Sequence, residues 1–220
     1  MQNRRVLTLA YGGQLSIINL FTVFMVIFYG ICDAYAEKSV RIVAIGDSLT
    51  AGYGLPQGED FPTQLEAALQ AKGLNVVVDN AGVSGDTTTG GLQRLDWALG
   101  NDADFVILEL GANDALRGIQ PNITRENLEK ILIVLQQKNI PVLLTGMKAP
   151  PNMGVIYTTE FDQIFPDLAE KYGTDFYPFF LEDVAADPAL NQRDFIHPNA
   201  EGVKIIVNNM LPYVQRFIEN

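Results

Sequence analysis

Short apolar runs alternate along this chain with longer segments in which apolar residues recur at helical spacing. Five of the runs are rich in β-branched residues and predict strands, namely Val40–Ile45, Asn75–Asn80, Asp104–Leu110, Ile140–Gly146 and Thr174–Phe180. Because these runs are almost continuously apolar, they are typical of a parallel sheet that is covered on both faces.

Helical periodicity occurs in the segments between and after the predicted strands. The first helix is expected to begin at Pro62, which suits a first turn, and to end at Gly73. Further helices are predicted around Leu92, Leu95 and Leu99, around Leu128, Ile131, Leu132 and Leu135, around Phe161, Phe165 and Leu168, and after Gly202. This alternation predicts one α/β domain, with a doubly wound, mainly parallel five-stranded sheet and helices on both faces.

The loops that follow the first four predicted strands are rich in glycine and small polar residues. In chain order they read GDSLTAGYG, AGVSGDT, GANDALRG and MKAPPNMG. In open parallel sheets a ligand binds in the crevice beyond the carboxyl ends of the strands. We therefore expect these loops to build the functional site of the protein.

The start of the chain differs in composition from the rest. Arg4 and Arg5 precede the apolar run Leu15–Cys32, and the small residues that end at Ala36 fit an A-x-A cleavage site. This pattern predicts an export signal over residues 1–36, cut after Ala36, and hence a periplasmic or secreted protein. A retained membrane anchor is the alternative, because the apolar run just reaches the length that spans a bilayer.

Charge and cysteine content limit the partners and the chemistry that can be expected of the remaining domain, residues 37–220. The formal net charge of the chain is −11, and removing the predicted signal makes it −12. Such an acidic surface repels phosphate backbones, so nucleic acid is not expected as a partner. Because Cys32 is the only cysteine, the mature domain has no disulfide and no thiol chemistry. We expect a monomer that needs no membrane partner once the signal is removed.

Ser48 follows the first predicted strand in the sequence Gly46-Asp47-Ser48-Leu49. A serine hydroxyl is a weak nucleophile until a base takes its proton, and His197 is the only histidine of the chain. Asp194 precedes His197 closely enough to orient its second ring nitrogen, and Pro198 favours a loop conformation there. This set indicates nucleophilic catalysis by serine. The alternative is a serine that merely caps a helix.

Donors for a tetrahedral oxyanion are present in the next two loops. Gly82 can bring its backbone N–H close to a ligand because it has no side chain, and Asn113 can offer a side-chain amide. The backbone N–H of Ser48 would be a further donor. Taken singly, Gly82 and Asn113 are also what a turn requires. Their order along the chain, Ser, Gly, Asn and Asp-x-x-His, favours a catalytic set.

The sequence also limits which metals and cofactors the protein can bind. One histidine excludes a multi-histidine metal site, and the acidic residues lack the spacing of a calcium loop. A cation held by carboxylates alone is the one metal site left open. The chain has no Walker motif, and Gly82-Val83-Ser84-Gly85 is a poor dinucleotide fingerprint. We therefore expect no metal and no cofactor.

The blocks GDSLTAGYG, NAGVSGDT, GANDALRG and DFIHPNAEG resemble the four signature blocks of the GDSL, or SGNH, hydrolases. The stretches MKAPPNMG and PFFLEDVAADPALNQRDFIHPNAEG resemble in particular the exported bacterial branch described as arylesterase, acyl-CoA thioesterase and lysophospholipase. The resemblance implies a flavodoxin-like sheet, with Ser48 as nucleophile, His197 as general base and Asp194 as its orienting residue. It also implies an oxyanion hole made of the Ser48 N–H, the Gly82 N–H and the Asn113 amide.

The same resemblance favours acyl esters of medium to long chains as substrates, with thioesters and lysophospholipids as alternatives. Five side chains in and after the fourth loop are candidates for an acyl groove: Met147, Pro150, Met153, Ile156 and Tyr157. They would otherwise cover the sheet edge. A carbohydrate or peptidoglycan O-deacetylase would use the same catalytic parts with a polar pocket. A non-catalytic exported binding domain would keep the fold without turnover.

Overall fold

A parallel sheet lies at the centre of residues 38–219, which are the residues that the structure, a computed structural model, describes. Its strands are β1 (Val40–Gly46), β2 (Val76–Gly82), β3 (Phe105–Glu109), β4 (Val142–Thr145) and β5 (Asp175–Tyr177). They lie side by side in the order β2-β1-β3-β4-β5, and every neighbouring pair is parallel. The predicted α/β fold with a five-stranded parallel sheet is confirmed. The predicted export signal lies outside the described residues.

Helices connect the strands and cover the sheet. They are α1 (Ser48–Ala51), α2 (Phe61–Ala71), α3 (Thr88–Gln93), α4 (Leu95–Leu99), α5 (Ala112–Leu116), α6 (Pro121–Gln137), α7 (Val155–Asp162), α8 (Ile164–Tyr172) and α9 (Ala200–Glu219), with a 3₁₀ turn at Pro151–Met153. Helix α2 packs against α9, whereas α6 packs against α3 and α8. Parallel crossovers are right-handed, and β2 is added on one side of β1 whereas β3, β4 and β5 are added on the other. These two helix layers therefore lie on opposite faces of the sheet.

Burial of β1 explains its continuous apolar run. The side chains of Ile42 and Ile45 have no exposed surface, and those of Val43 and Ala44 are about as deeply buried. A central strand between two helix layers has no face that reaches water, so the covered positions of β1 are apolar on both faces. Within residues 38–219, no helix has the length and apolar character needed to cross a membrane.

Several predicted boundaries differ from the structure. The apolar series around Leu92 to Leu99 divides at Arg94 into α3 and α4, and the series around Phe161 to Leu168 divides at Gln163 into α7 and α8. Strand β5 ends at Tyr177 and not at Phe180, since Pro178 has no N–H for the ladder.

Helix α9 begins at Ala200, earlier than expected, because the side chain of Asn199 caps it. The Asn199 Oδ1 atom accepts hydrogen bonds from the N–H groups of Glu201 and Gly202, both at 3.0 Å. This cap fixes the start of the helix directly after the loop that contains His197.

The register of the sheet brings the ends of three strands to one edge. Gly46 at the end of β1 lies opposite Gly82 of β2 and opposite Glu109 of β3. The loops that leave these strands therefore start side by side. This is the edge at which the sequence predicts the functional site.

Candidate active site

The turn after β1 presents Ser48 on the short helix α1. Asp47 is the residue that caps this helix, since its Oδ1 atom accepts a hydrogen bond from the Leu49 N–H at 2.9 Å. Ser48 is the first helical residue, and its hydroxyl is not used by the cap. The alternative in which Ser48 serves as the cap is therefore wrong.

A chain of two hydrogen bonds connects the hydroxyl of Ser48 to a carboxylate. The Nε2 atom of His197 lies 2.9 Å from the Ser48 Oγ atom, and the Nδ1 atom lies 2.7 Å from the Asp194 Oδ2 atom. With its proton on Nδ1, the imidazole donates to Asp194 and accepts from the serine hydroxyl. This arrangement can remove a proton from Ser48 when the hydroxyl attacks an electrophile.

The carboxylate of Asp194 is held in its ionised form. The hydrogen bond from His197 is the main cause that lowers the pKa of Asp194 to about 2. The backbone N–H groups of Ile196 and His197 add to this effect, because they donate to the Oδ1 atom at 3.0 and 3.1 Å. Asp194 is therefore negatively charged in neutral and in moderately acidic solution.

The loop that carries His197 is tied to the loop that follows α1. The Gln192 side-chain amide donates to the backbone oxygens of Tyr53 at 2.7 Å and Pro198 at 3.0 Å. The Gln192 N–H also donates to the His197 carbonyl oxygen at 2.7 Å. The ring of Tyr53 packs against the imidazole at a centroid distance of 4.7 Å. These contacts hold the imidazole next to the nucleophile.

Asn113 comes from the first turn of α5 and reaches back to the same site. Its Nδ2 atom donates to the Asp47 Oδ2 atom at 2.9 Å. A primary amide has a second N–H hydrogen, which leaves one donor for a ligand. Gly111, the residue before this helix, has a φ of 119°. This backbone conformation favours glycine.

Gly82 ends β2 in close contact with residues 47–51, which carry Ser48 as the proposed nucleophile and are called the nucleophile turn below. A Cβ atom at this position would lie 2.3 Å from the backbone nitrogen of Ala51, so only glycine fits. The N–H of Gly82 donates to the Asn80 side-chain oxygen at 3.0 Å. In this structure the donor expected from Gly82 is therefore engaged by its own loop.

The geometry agrees with one family of hydrolases. A family model described as GDSL-like lipase/acylhydrolase matches residues 44–205, which include the nucleophile turn and the loop of His197. The chain belongs to this family. The sequence-based prediction of a serine-dependent ester hydrolase is confirmed.

Relatives of this hydrolase extend the match over most of the chain. An arylesterase of Vibrio mimicus is 38% identical over 178 residues, which cover 80% of this chain and 88% of the relative. Thioesterase 1/protease 1/lysophospholipase L1 of Escherichia coli strain K12 is 36% identical over 186 residues, covering 84% and 88%. Among solved structures, AlinE4, an SGNH-hydrolase family esterase, matches with a TM-score of 0.70 and 50% identity over 81% of this chain and 96% of its own.

A cavity of about 820 Å³ opens beside the Ser48 hydroxyl. Ser48, Asn113 and His197 line it, whereas Gly82 and Asp194 do not. Most of the remaining lining is apolar and includes Leu116, Met147, Pro150, Phe179, Leu181, Phe195 and Ile196. A cavity of this size and character suits an apolar ligand chain next to a small number of polar groups.

The five predicted groove residues divide into two groups. Met147 and Pro150 line the cavity, whereas Met153, Ile156 and Tyr157 are absent from its lining. The side chain of Ile156 is 75% exposed. Tyr157 points to a neighbouring loop, where its hydroxyl donates to the Ile119 carbonyl oxygen at 2.7 Å.

The sequence analysis did not identify the cavity residues of two other loops. Phe195 and Ile196 lie between Asp194 and His197, so the loop that delivers the imidazole also delivers apolar side chains to the cavity. Phe179 follows β5 at the same edge of the sheet. Their positions after a strand end and inside the Asp-x-x-His motif are signals that could have identified them.

Arg94 supports the strand ends from behind the nucleophile turn. Its guanidinium donates to the carbonyl oxygens of Gly46 at 2.9 Å and Ala81 at 2.8 Å, and to the Asp86 carboxylate at 2.5 Å. One planar group thus joins the ends of β1 and β2. Arg94 is also the residue at which α3 ends and α4 begins, and sequence periodicity gave no sign of its contacts.

Asp114 anchors α5 next to Asn113. It is fully buried, and its carboxylate accepts from the Thr88 N–H at 2.8 Å, the Thr88 hydroxyl at 2.5 Å and the Thr124 hydroxyl at 3.1 Å. These bonds join α5 to α3 and α6, which fixes the turn that carries Asn113.

Among residues 38–219, no group of three or more His, Cys, Asp or Glu side chains is arranged to hold a metal ion.

Proposed function

We propose that this hydrolase cleaves carboxylic esters of medium or long acyl chains through an acyl-enzyme on Ser48. The observation that carries the proposal is the hydrogen-bonded series Ser48, His197 and Asp194 at the wall of an apolar cavity of about 820 Å³. Neither part suffices alone. The series supplies an activated nucleophile, and the cavity supplies space for the acyl chain.

The proposed reaction has two halves. In the first, the Ser48 Oγ atom attacks the ester carbonyl carbon while His197 Nε2 takes the hydroxyl proton, and the imidazolium then protonates the departing alcohol oxygen. In the second, a water molecule attacks the acyl carbon while the same imidazole takes a proton from it, and the imidazolium then protonates the departing Ser48 Oγ atom, which releases the carboxylic acid and restores Ser48. The Asp194 carboxylate stabilises the imidazolium in both halves.

The charge on the carbonyl oxygen requires donors. We assign the backbone N–H of Ser48 and the free amide hydrogen of Asn113 to this oxyanion. The N–H of Gly82 is the third proposed donor, and it joins them when it leaves the Asn80 side chain to which it donates at 3.0 Å. Asp47 supports the arrangement because it accepts the other Asn113 hydrogen at 2.9 Å and so fixes the plane of the amide.

Asn113→Ala tests the oxyanion assignment. We expect kcat to fall by about 10²–10³-fold with little change in KM, because the donor is needed more in the transition state than in the bound ester. Steady-state kinetics on one ester measures both constants. Asn122→Ala, at an exposed position of α6, is the matched control. An effect confined to KM would show instead that Asn113 only binds substrate.

The acyl preference is proposed from the lining of the cavity. Leu116, Phe195 and Ile196 combine cavity contact with substantial exposure, so the apolar wall continues to the surface. The names of the relatives, arylesterase and thioesterase/lysophospholipase, agree with acyl substrates of this kind. Thioesters are accessible to the same mechanism, because the serine attacks an acyl carbon in both cases.

Hydrolysis of p-nitrophenyl esters from acetate to palmitate tests the preference. We expect the highest kcat/KM on medium or long chains, and a shift toward short chains in Leu181→Trp, which fills part of the cavity that Leu181 lines. Ile156→Trp is the control, because Ile156 is exposed and absent from the cavity lining. Turnover restricted to acetate would support an O-deacetylase, and no turnover would support a binding domain.

Export is also proposed for this hydrolase. Arg4, Arg5 and the apolar run Leu15–Cys32 support export, and the residues before Ala36 support cleavage at that point. The mass of the protein recovered outside the cytoplasm measures the cleavage. A protein that keeps residues 1–36 would contradict the proposed cut.

A further inference from the structure

Two carboxyl groups are completely buried next to Ser48, one within the nucleophile turn and one behind it. Asp47 follows β1 and Glu109 ends β3, and neither side chain has any exposed surface. Among residues 38–219, neither carboxyl forms an ion pair with a lysine or an arginine. Two neighbouring buried carboxylates without a cation cannot both keep a negative charge at low cost, so one of them has to hold a proton.

Asp47 is the better site for the negative charge. Its Oδ1 atom accepts from the Leu49 N–H and its Oδ2 atom from the Asn113 amide, both at 2.9 Å. Burial raises the pKa of Asp47 to about 6, while these two donors and the charge of His197 oppose the increase. Asp47 is therefore mostly ionised in neutral solution.

Glu109 is the better site for the proton. Its Oε2 atom accepts from the Asp47 N–H at 3.2 Å and from the Thr50 hydroxyl at 2.8 Å, but its Oε1 atom is buried without a hydrogen-bond partner. Burial, followed by the charge of Asp47, raises the pKa of Glu109 well above its usual range. An ionised oxygen with no donor in this position would be very costly.

Glycine at position 46 permits this contact. A Cβ atom there would lie 2.5 Å from the Glu109 Oε2 atom and 2.0 Å from the Thr50 Oγ1 atom. The carboxyl of Glu109 thus lies directly against the backbone of the turn that carries Ser48. Both of its hydrogen bonds go to residues of this turn, one on each side of Ser48.

We propose that Glu109 is a positioning residue that carries a proton and fixes the nucleophile turn and the oxyanion donor through its contacts with Asp47 and Thr50. The neutral carboxyl accepts two hydrogen bonds without repelling the Asp47 anion. Asp47 in turn keeps the amide of Asn113 in place at 2.9 Å. This inference rests on the proposed function in assigning Asn113 to the oxyanion, whereas the proton on Glu109 can be tested without any activity.

The kinetic test compares two replacements of similar size. Glu109→Met removes both acceptors, and we expect kcat to fall by about 10²-fold with KM nearly unchanged, because the nucleophile and the oxyanion donor lose their alignment. Glu109→Gln is a neutral isostere that keeps an acceptor for Asp47 and Thr50, so it restores most of kcat. A folded Glu109→Met protein with unchanged kcat would overturn the positioning role.

The proton is tested by stability as a function of pH. If Glu109 is protonated in the folded protein and ionised in the unfolded chain, the unfolded state binds fewer protons and stability falls as pH rises. From about pH 5.5, roughly a unit above the ordinary glutamate pKa, up to the pKa of Glu109 in the fold, the unfolding equilibrium constant of the wild type should rise by up to about tenfold per pH unit relative to Glu109→Gln.

The groups around Glu109 are the same in both proteins. Asp47 faces it from the end of β1, the charge of His197 acts on Asp47 from the cavity side, and Arg94 lies at the Gly46 carbonyl. The adjacent strand β4 and helix α1 contain no titratable residue. Because the same groups act in both proteins, their effects on stability largely cancel in the ratio of the two unfolding constants.

The outcomes separate this inference from the proposed function. A ratio of unfolding constants that does not change with pH would show that Glu109 is ionised in the fold, and would overturn the inference even if Glu109→Met does not fold. A tenfold change per pH unit supports it. An active Ser48→Ala protein would refute the proposed function and leave the result on the Glu109 proton intact.

Discussion

Replacing Ser48 with alanine lowers kcat by about 10⁶-fold, the loss seen when the nucleophile of a serine triad is removed. The Oγ atom is the only group at this position that can form the acyl-enzyme. Folding should be unchanged, because within residues 38–219 the hydroxyl bonds only to His197 and the cap of α1 comes from Asp47. Hydrolysis of the preferred p-nitrophenyl ester measures the loss, and circular dichroism measures the fold.

The matched control for this substitution is Ser84→Ala. Ser84 lies in the loop after β2 and is exposed, so it shares the residue type and the edge of the sheet without contact with His197. Its removal should leave kcat unchanged. A folded Ser48→Ala protein that retains wild-type turnover would mean that the hydrolysis uses another nucleophile.

Replacing Asp194 with asparagine should lower kcat by about 10⁴-fold, the second largest expected effect. The asparagine keeps the shape and can still accept from the backbone at residues 196 and 197. Its amide, however, favours the imidazole tautomer with the proton on Nε2, which cannot accept the proton of Ser48. Measuring kcat on the same ester tests this, with the folded state verified by thermal unfolding.

Asp187 provides the control for Asp194. It is an exposed aspartate that precedes the same loop, and its Oδ1 atom accepts from the Ala189 N–H at 2.8 Å in a comparable local turn. Asp187→Asn should leave turnover unchanged. A loss of less than about tenfold in Asp194→Asn would mean that the orientation of His197 depends mainly on other contacts, such as those of Gln192.

The parts of the fold that the sequence predicts are those set by local patterns. Strand β1 is recognisable because its part that is buried on both faces, residues 42–45, is entirely apolar. The pairing of Ser48 with His197 is predictable for another reason, since the chain offers only one histidine. Helix α2 begins within one residue of the prediction, because Asp60 and Pro62 are strong signals for a first turn.

Other parts depend on contacts that a local pattern does not contain. Both Asp47 and Ser48 are good caps, and only the position of His197 shows which of them is left for chemistry. Glu109 lies within an apolar run, and its burial depends on Thr50, which is remote in sequence. The direction of Tyr157 likewise depends on the Ile119 carbonyl, a tertiary contact that loop composition does not predict.

The hydrogen bonds that join the start of the domain to its last loop have a consequence for how the protein becomes active. Ser48 and His197 are 149 residues apart, and the Gln192 contact with Tyr53 spans 139. A chain still emerging from the ribosome therefore has its nucleophile long before its base, and it remains inert toward esters. Closing a loop of this length carries an entropy cost that slows the formation of such contacts. Recovered turnover during refolding thus reports completion of the last loop, and it should lag behind the return of the backbone signal.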